Sequence, residues 1–386
     1  MNKKILTGLT LTLCSLFVSC EQTSVDVSND ISSNSSLPEI SSSIEEGFDE
    51  SKYQEHQFLS VNELYLIENE TYDLSKMLLS DDNNYSLNYL SDFNEAYVNE
   101  NGVITANSLN GELLSEGYVY VYDDSKLQKV KVNVVDYYEY GSYFTTLDVG
   151  RLYGKKIMFF GASNTHNWSE RSHERPDPNV INDDPRDFKN HGTNYVAMLN
   201  EVCNFEMIVN AAWSGGTMSY PAGSNIRYTY KSFAGSIHEN EEAVSQVDYI
   251  IVNYGTNDLM DQVPIGTLAD EMSLQDKKSS TFLAGMKYGI NKIKEINPDV
   301  TLVFMNVMDI TANYTRKIKV EEYNNAINEC ATAAMCKVLD THSLFTEEEF
   351  VAGSKLTDDG LHLSIIANKI LTNYILTGKN NKEEYL

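Results

Sequence analysis

The chain has 386 residues, of which 42% are hydrophobic and 22% are charged, a composition that fits a folded protein of about two domains. Its formal net charge of -27 makes the surface repel the phosphates of nucleic acids and of anionic lipids. We therefore expect no nucleic-acid partner, and any attachment to a membrane has to be hydrophobic or covalent.

The N-terminal segment is typical of an export signal. Two lysines precede an apolar stretch at residues 5–18, which is too short to span a bilayer as a permanent helix. Ser19 stands directly before Cys20, and residues 1–20 resemble a bacterial lipoprotein signal, in which that cysteine carries the lipid. The resemblance implies an exported cell-surface lipoprotein anchored through Cys20; the alternative is an ordinary secretory signal. Residues 21–56 are rich in Ser, Asn, Asp and Glu and are predicted to form a disordered tether.

Residues 57–137 carry the pattern of a small all-β domain. Period-two runs at residues 118–122 and 130–134 are typical of half-buried strands, and Asn-Gly pairs at residues 101–102 and 110–111 indicate turns. This arrangement predicts a β-sandwich. The segments at residues 68–74 and 98–106 resemble bacterial Ig-like domains, so the resemblance implies an N-terminal Ig-like sandwich.

Residues 150–380 alternate short apolar runs with helical stripes. Near-continuous apolar runs are typical of parallel strands that are buried on both faces. The five runs lie at residues 157–160, 207–211, 249–253, 302–307 and 337–339. Strand–helix alternation predicts an α/β fold with a three-layer, doubly wound parallel sheet of the flavodoxin-like kind. In such sheets the chemistry lies beyond the carboxyl ends of the strands.

Five residues at or beyond those strand ends are suited to acyl transfer. Ser163 follows the first strand, Gly215 the second and Asn257 the third, while Asp359 and His362 precede the last helix. A serine hydroxyl becomes nucleophilic when a histidine takes its proton and a carboxylate orients that histidine. The backbone N–H groups of Ser163 and Gly215 and the amide of Asn257 can donate hydrogen bonds to an oxyanion.

These blocks, in this order, resemble the SGNH hydrolases, also called GDSL esterases and lipases, over about residues 155–375. The resemblance implies a catalytic triad of Ser163, His362 and Asp359, and an oxyanion hole formed by Ser163, Gly215 and Asn257. The chain departs from the family at position 162, where Ala replaces the Asp of Gly-Asp-Ser. That residue does not take part in the chemistry, so the assignment of the nucleophile is unaffected.

Some neighbouring residues offer alternatives. Gly216 competes with Gly215 for the oxyanion hole, Asp358 competes with Asp359, and His342 could act as a different base. The Asp-x-x-His spacing favours Asp359, and the Ser-Gly-x-Thr register favours Gly215. The cysteines are interpreted as buried small side chains, although a bridge between Cys330 and Cys336 is open. No residues show the spacing of a metal site, so neither a metal nor a cofactor is expected.

The segment that follows Ser163, residues 165–191, is polar and rich in His and Arg. It contains Trp168, and the other tryptophan, Trp213, flanks the glycine block; both could stack on a pyranose ring and bind substrate. We therefore expect an esterase that removes acetyl or another short acyl group from carbohydrate. The alternatives are a lipid or lysophospholipid acylhydrolase and a non-catalytic surface-binding protein. Because the tether and the β domain contribute no catalytic block, a chain that begins near Asp148 is expected to fold and to hydrolyse small esters.

Overall fold

A computed structural model describes most of the chain after residue 47. The described ranges are 48–79, 86–136, 147–166, 194–220, 226–275, 280–308, 318–357 and 359–384. The predicted signal, Cys20, most of the predicted tether, and Trp168 lie outside the described residues. We call residues 48–136 the β region and residues 147–384 the α/β region.

The described residues of the β region form eight strands in two sheets. The strands are β1 Gln54–Glu55, β2 Glu63–Ile67, β3 Thr71–Asp73, β4 Asn88–Ser91, β5 Ala96–Val98, β6 Val103–Ala106, β7 Leu114–Tyr122 and β8 Lys126–Val135. One sheet has the order β1-β8-β7-β4, with β2 also paired to β8, and the other has the order β3-β6-β5. The runs predicted at 118–122 and 130–134 lie in β7 and β8, which pair antiparallel with Val119 opposite Val130. Alternate side chains from both sheets fill one apolar core. The prediction of a β-rich region is therefore confirmed.

The α/β region is built around five parallel strands. They are β9 Lys156–Gly161, β10 Met207–Asn210, β11 Tyr249–Asn253, β12 Thr301–Met305 and β13 Lys337–Leu339. Their order is β10-β9-β11-β12-β13, and every neighbouring pair is parallel. The chain reverses direction across the sheet next to β9, so the carboxyl ends of β9, β10 and β11 flank a switch point. The predicted parallel sheet is confirmed.

Helices cover both faces of this sheet. They are α1 Val149–Leu152, α2 Tyr195–Cys203, α3 Phe233–Glu239, α4 Glu241–Val244, α5 Thr256–Met260, α6 Phe282–Ile296, α7 Val320–Ala333 and α8 Ile365–Thr377. Short 3₁₀ turns lie at Glu50–Lys52, Leu74–Met77, Ile226–Lys231, His342–Leu344 and Lys382–Glu384. Two separate apolar clusters, one on each face of the sheet, bury the helical stripes.

Side-chain caps set where the longer helices begin. The sequence favours Thr193 as the cap of α2, but the cap is Asn194, whose side chain accepts a hydrogen bond from the Ala197 N–H. Thr281 and Ser364 cap α6 and α8 in the same way. A cap of this kind satisfies a backbone donor that has no partner inside the helix. Gly378 ends α8 in the left-handed conformation.

Four charged side chains are buried where the β region packs against the α/β region. Glu70 Oε1 lies 3.1 Å from Arg151 Nε and 2.9 Å from Lys337 Nζ, and Arg151 Nη1 lies 2.7 Å from Asp148 Oδ2. Only 5% of the Glu70 side chain and 1% of the Lys337 side chain are exposed. Burial raises the pKa of Glu70, but the charges of Lys337 and Arg151 outweigh it and hold the pKa below its usual range. We refer to these four residues as the ion cluster.

Cys203, Cys330 and Cys336 are buried free thiols. None of the helices in the described residues is long and apolar enough to span a bilayer. The same residues contain no group of three His, Cys, Asp or Glu side chains that could hold a metal ion.

Candidate active site

Ser163 lies in a tight turn directly after β9. The Ala162 carbonyl accepts hydrogen bonds from the N–H groups of Thr165 and His166, at 3.0 and 2.9 Å, which coils the chain around the serine. The Thr165 carbonyl in turn accepts from the side-chain amides of Asn194 and Asn210, at 3.0 and 2.7 Å. Ser163 is 8% exposed, so its hydroxyl is held in a defined position at the sheet edge.

His362 joins this serine to a carboxylate. Its Nε2 lies 2.9 Å from Ser163 Oγ, and its Nδ1 lies 2.6 Å from Asp359 Oδ2. A proton on Nδ1, held by the carboxylate, leaves Nε2 as an acceptor for the serine hydroxyl. The structure therefore brings together the three residues that the sequence selected, in the order needed to activate a hydroxyl.

Asp359 also shapes the loop that carries His362. Its Oδ1 accepts hydrogen bonds from the N–H groups of Leu361 and His362, both at 2.8 Å. Burial raises the pKa of Asp359, but these bonds, the bond to the His362 ring and its charge outweigh burial and lower the pKa. The carboxylate is therefore ionised at neutral pH, as the stabilisation of an imidazolium requires.

The glycine block after β10 distinguishes Gly215 from Gly216. The Gly216 N–H already donates to the Trp213 carbonyl at 2.8 Å, and Gly216 is buried. Gly215 is exposed and has a φ of 77°, in the left-handed region that favours glycine. In the described part of the chain, its N–H donates to no other residue. Gly215 is thus the glycine whose N–H can point to a substrate.

Asn257 is the second residue of helix α5, which follows β11. Its Nδ2 donates to the Gly216 carbonyl at 2.8 Å, which fixes the orientation of the amide and ties it to the glycine block. The same nitrogen carries a second hydrogen that can donate to an oxyanion. The Trp213 N–H donates to the Gly161 carbonyl at 3.0 Å, so the glycine block is also tied to the end of β9.

Asp258 has a structural part in this site that the sequence did not reveal. It is fully buried, and its two oxygens accept from the N–H groups of Met218 and Ser219 at 2.8 and 2.9 Å. Burial raises its pKa, against the hydrogen bonds from Ser219 and Met218. The carboxylate holds the segment that carries Gly215. The Gly-x-Asn-Asp motif shows where Asp258 lies in the sequence but does not reveal this structural role.

The other residues predicted to take part lie as follows. Trp213 is partly buried; its ring stacks on His166 at a centroid distance of 5.8 Å and meets Tyr230 edge-on at 5.0 Å. Lys231 Nζ donates to the Ser214 carbonyl at 3.2 Å, so a cation lies beside the glycine block. Trp168 and Asp358 lie outside the described residues. The alternative base His342 lies in the 3₁₀ turn after β13, and its backbone N–H bonds to Asp340.

A serine, a histidine and a carboxylate in contact at the carboxyl edge of a parallel sheet form the arrangement that serine hydrolases use. A model of the GDSL-like lipase/acylhydrolase family matches residues 159–369, more than half of the 386 residues. The chain belongs to this family, whose members are hydrolases acting on esters.

Solved structures with a similar fold include a GDSL-like lipase from Bacteroides ovatus. It is 17% identical, and the match covers 57% of this chain and 95% of that one, with a TM-score of 0.38. Axe2, an acetylxylan esterase from Geobacillus stearothermophilus, is 19% identical, with 58% and 93% covered and a TM-score of 0.39. No curated protein sequence matches the chain. The family match, and not the similarity to these distant structures, is the basis for placing the chain in the GDSL-like family.

Proposed function

We propose that this chain is an exported serine esterase that removes acetyl or other short acyl groups from carbohydrate. The observation that carries the catalytic part is the contact of His362 with both Ser163 Oγ, at 2.9 Å, and Asp359 Oδ2, at 2.6 Å. Both distances are those of hydrogen bonds that can pass a proton without rearrangement.

In this proposal Ser163 Oγ attacks the carbonyl carbon of the ester while its proton moves to His362 Nε2. The negative charge that forms on the carbonyl oxygen is stabilised by the N–H groups of Ser163 and Gly215 and by the Asn257 amide. When the intermediate collapses, the C–O bond to the alcohol breaks and His362 returns the proton to the leaving oxygen. A water molecule, deprotonated by His362, then attacks the acyl-serine, releases the carboxylic acid and regenerates Ser163.

The proposed substrate class rests on the residues beside the glycine block. Trp213, His166 and Tyr230 present aromatic surface with polar atoms, and Lys231 adds a cation. Rings of this kind pack against the C–H faces of sugars while the polar atoms bind hydroxyls. Trp213 contacts His166 on one side, so we assign it to the wall of the sugar site, and we assign Trp168 to the same wall from its position in the sequence.

The remaining parts of the chain complete the proposal. Residues 1–20 are the lipoprotein signal, with Cys20 as the lipid anchor at the cell surface. The tether predicted for residues 21–56 is shortened to end before residue 48, because residues 54–55 form strand β1, which pairs with β8. Residues 57–137 form an Ig-like domain and residues 150–380 form the hydrolase domain. The sequence patterns described above support these assignments, and the two-sheet β region is compatible with the Ig-like fold.

A series of aryl esters with increasing acyl length, run beside acetylated polysaccharides, tests the proposal. We expect acetyl and propionyl esters to be turned over far faster than esters of about eight carbons, because each methylene gains about 0.8 kcal/mol only where an apolar groove buries it. Ser163→Ala should abolish turnover, since a triad fails as a unit. Rates that rise with chain length would identify a lipid acylhydrolase instead, and a wild-type chain inert to every ester would leave a binding protein.

A further inference from the structure

Asn164 connects the turn of Ser163 to the loop of His362. Its Nδ2 donates to the Leu361 carbonyl at 3.2 Å, and its Oδ1 accepts from the Leu363 N–H at 3.0 Å. Leu361 and Leu363 are the two chain neighbours of His362. The Asn164 amide is thus hydrogen-bonded to the backbone on both sides of His362. Its two partners lie 197 and 199 residues further along the sequence.

The contacts of Asp359 do not make this connection. Asp359 bonds to the His362 ring and to the N–H groups of Leu361 and His362, all within its own loop. A shift of the whole loop would carry Asp359 and His362 together and would leave those bonds intact. Asn164, in contrast, is the chain neighbour of Ser163, so its two hydrogen bonds fix the position of the His362 loop relative to the nucleophile.

We infer that Asn164 is a positioning residue that sets the distance between His362 Nε2 and Ser163 Oγ. The inference rests on the proposed catalytic function of those two residues. Neither atom of the Asn164 amide has to touch substrate for this role. Its loss allows the His362 loop to move away from the serine, and a displacement of about 1 Å in a reacting geometry can cost about 100-fold in rate.

The test compares Asn164→Ala with wild type in the full chain, on a short-acyl aryl ester. We expect kcat to fall about 10- to 100-fold, with KM changed by less than about two-fold, because proton transfer is impaired and ground-state binding is not. The rate at which a fluorophosphonate modifies Ser163 should fall by a similar factor. That reaction reports on activation of the serine without an ester substrate.

Asn164→Asp tests whether the side chain at position 164 lies next to His362, as the positioning role requires. Its carboxylate can still accept from the Leu363 N–H but repels the Leu361 carbonyl, and it adds a negative charge next to the base. Since a nearby anion favours the imidazolium, the acidic limb of the kcat/KM profile should move to higher pH by about half a unit to one unit. In Asn164→Ala the limb should stay where it is.

Asn297→Ala is the matched control. The Asn297 amide also makes two hydrogen bonds to backbone, to the carbonyls of Val244 and Val247 at 2.9 Å each, but at the amino-end edge of the sheet. We expect it to lower stability and leave kcat unchanged. An Asn164→Ala enzyme with wild-type kcat and labelling rate, or with losses no larger than those of Asn297→Ala, would refute the positioning role. A wild-type chain that neither hydrolyses esters nor reacts with the fluorophosphonate would refute the proposed function itself.

Discussion

His166 lies three residues after Ser163 in a setting that disfavours its charged form. It is stacked on Trp213, and burial, followed by the charge of Lys231, lowers its pKa from 6.5 to about 4. The imidazole is therefore neutral at pH 7. A neutral ring can stack on the indole and face a substrate without repelling the nearby lysine.

The lowered pKa of His166 predicts a loss of stability in acid. The unfolded chain binds a proton at this residue near pH 6.5, whereas the folded chain does so only near pH 4. Between these values the unfolded state holds more protons, so the free energy of unfolding falls by about 3 kcal/mol in total as the pH drops through this range.

Urea unfolding of His166→Phe at pH 7.5 and 4.5 measures this effect. The phenyl ring keeps the contact with Trp213 but cannot titrate, so the variant should lose clearly less stability in acid than wild type. Equal pH dependence of the free energy of unfolding in the two proteins would show that protonation of His166 does not cause the loss of stability in acid.

The site residues that could be predicted from the sequence are each marked by a short-range sequence pattern. Asp359 and His362 are three positions apart, and Ser163, Gly215 and Asn257 each follow an apolar run, so motif spacing and the strand-end rule were sufficient to bring them together. Asn164 has no such signature. Its partners lie 197 and 199 residues away, and a side-chain amide next to a serine is an ordinary turn residue until the tertiary structure is known.

The start of α5 combines two constraints that place Asn257. Gly255 has a φ of 117°, which L side chains rarely adopt, and a Cβ there would come within 2.5 Å of Val307 Cγ2. The residue directly after Asn257, Asp258, accepts hydrogen bonds from the N–H groups of Met218 and Ser219. Strand β11, helix α5 and the glycine block thus behave as one unit.

Asp258→Asn should loosen this unit. The amide offers only one acceptor oxygen, so one of the N–H groups of Met218 and Ser219 is left facing an NH₂ group inside the protein. We expect kcat on a short-acyl ester to fall at least about ten-fold, since the Gly215 N–H is no longer held for the oxyanion.

Asp261→Asn is the control, because Asp261 is exposed at the end of the same helix. It should keep wild-type kcat. Wild-type kcat in Asp258→Asn as well would mean that the glycine block is held without the buried carboxylate.

The strands and long helices could be predicted because each one carries its own period. The runs at 249–253 and 337–339 coincide with β11 and β13, and the apolar stripes of α6 and α7 match the buried faces. The stripe predicted for α8 matches less well, because Ile365 is 43% exposed. The cap of α2 was misplaced by one residue because Thr193 and Asn194 are both good caps, and only the backbone geometry decides between them. The apolar run at 337–339 also predicts that Lys337 lies in a strand, but it does not show which residue pairs with the charge of this lysine.

Across the whole molecule, the ion cluster makes the stability of the α/β region depend on the β region. Glu70→Gln removes the negative charge that lies between Lys337 and Arg151 and leaves one carboxylate for two buried cations. Breaking a buried pair in this way costs about 3–5 kcal/mol. Because the pKa of Glu70 is lowered by folding, its contribution is complete above about pH 4.3 and is lost as the pH falls below that value.

Equilibrium unfolding in urea at pH 7 measures the cost. Glu116→Gln is the control, since Glu116 pairs with Lys131 at 2.9 Å but 50% of its side chain is exposed. We expect this exposed pair to contribute about 1 kcal/mol or less. Similar losses in the two variants would show that the ion cluster is no stronger than a surface pair.

The same contacts bear on the expectation that a chain beginning near Asp148 folds alone. Such a chain lacks Glu70, and it also lacks Tyr65, whose carbonyl accepts from Arg151 Nη2, and Tyr72, whose ring packs against Arg151. We therefore expect it to be less stable than Glu70→Gln in the full chain. A cooperative thermal transition in the short chain would show that it folds alone, and a midpoint at or above that of Glu70→Gln would contradict the expected loss of stability.

The bond between Glu70 and Lys337 also has a consequence for biosynthesis. The two residues are separated by 267 positions, so closing the intervening chain costs about 5 kcal/mol in entropy. A ribosome that adds about 5–20 residues per second needs on the order of 10–50 s to pass from one to the other. During that interval Glu70 has been made, and one of its two buried cations, Lys337, has not. A polypeptide released before β13 therefore offers Glu70 only Arg151, and only a chain that includes Lys337 supplies both buried cations.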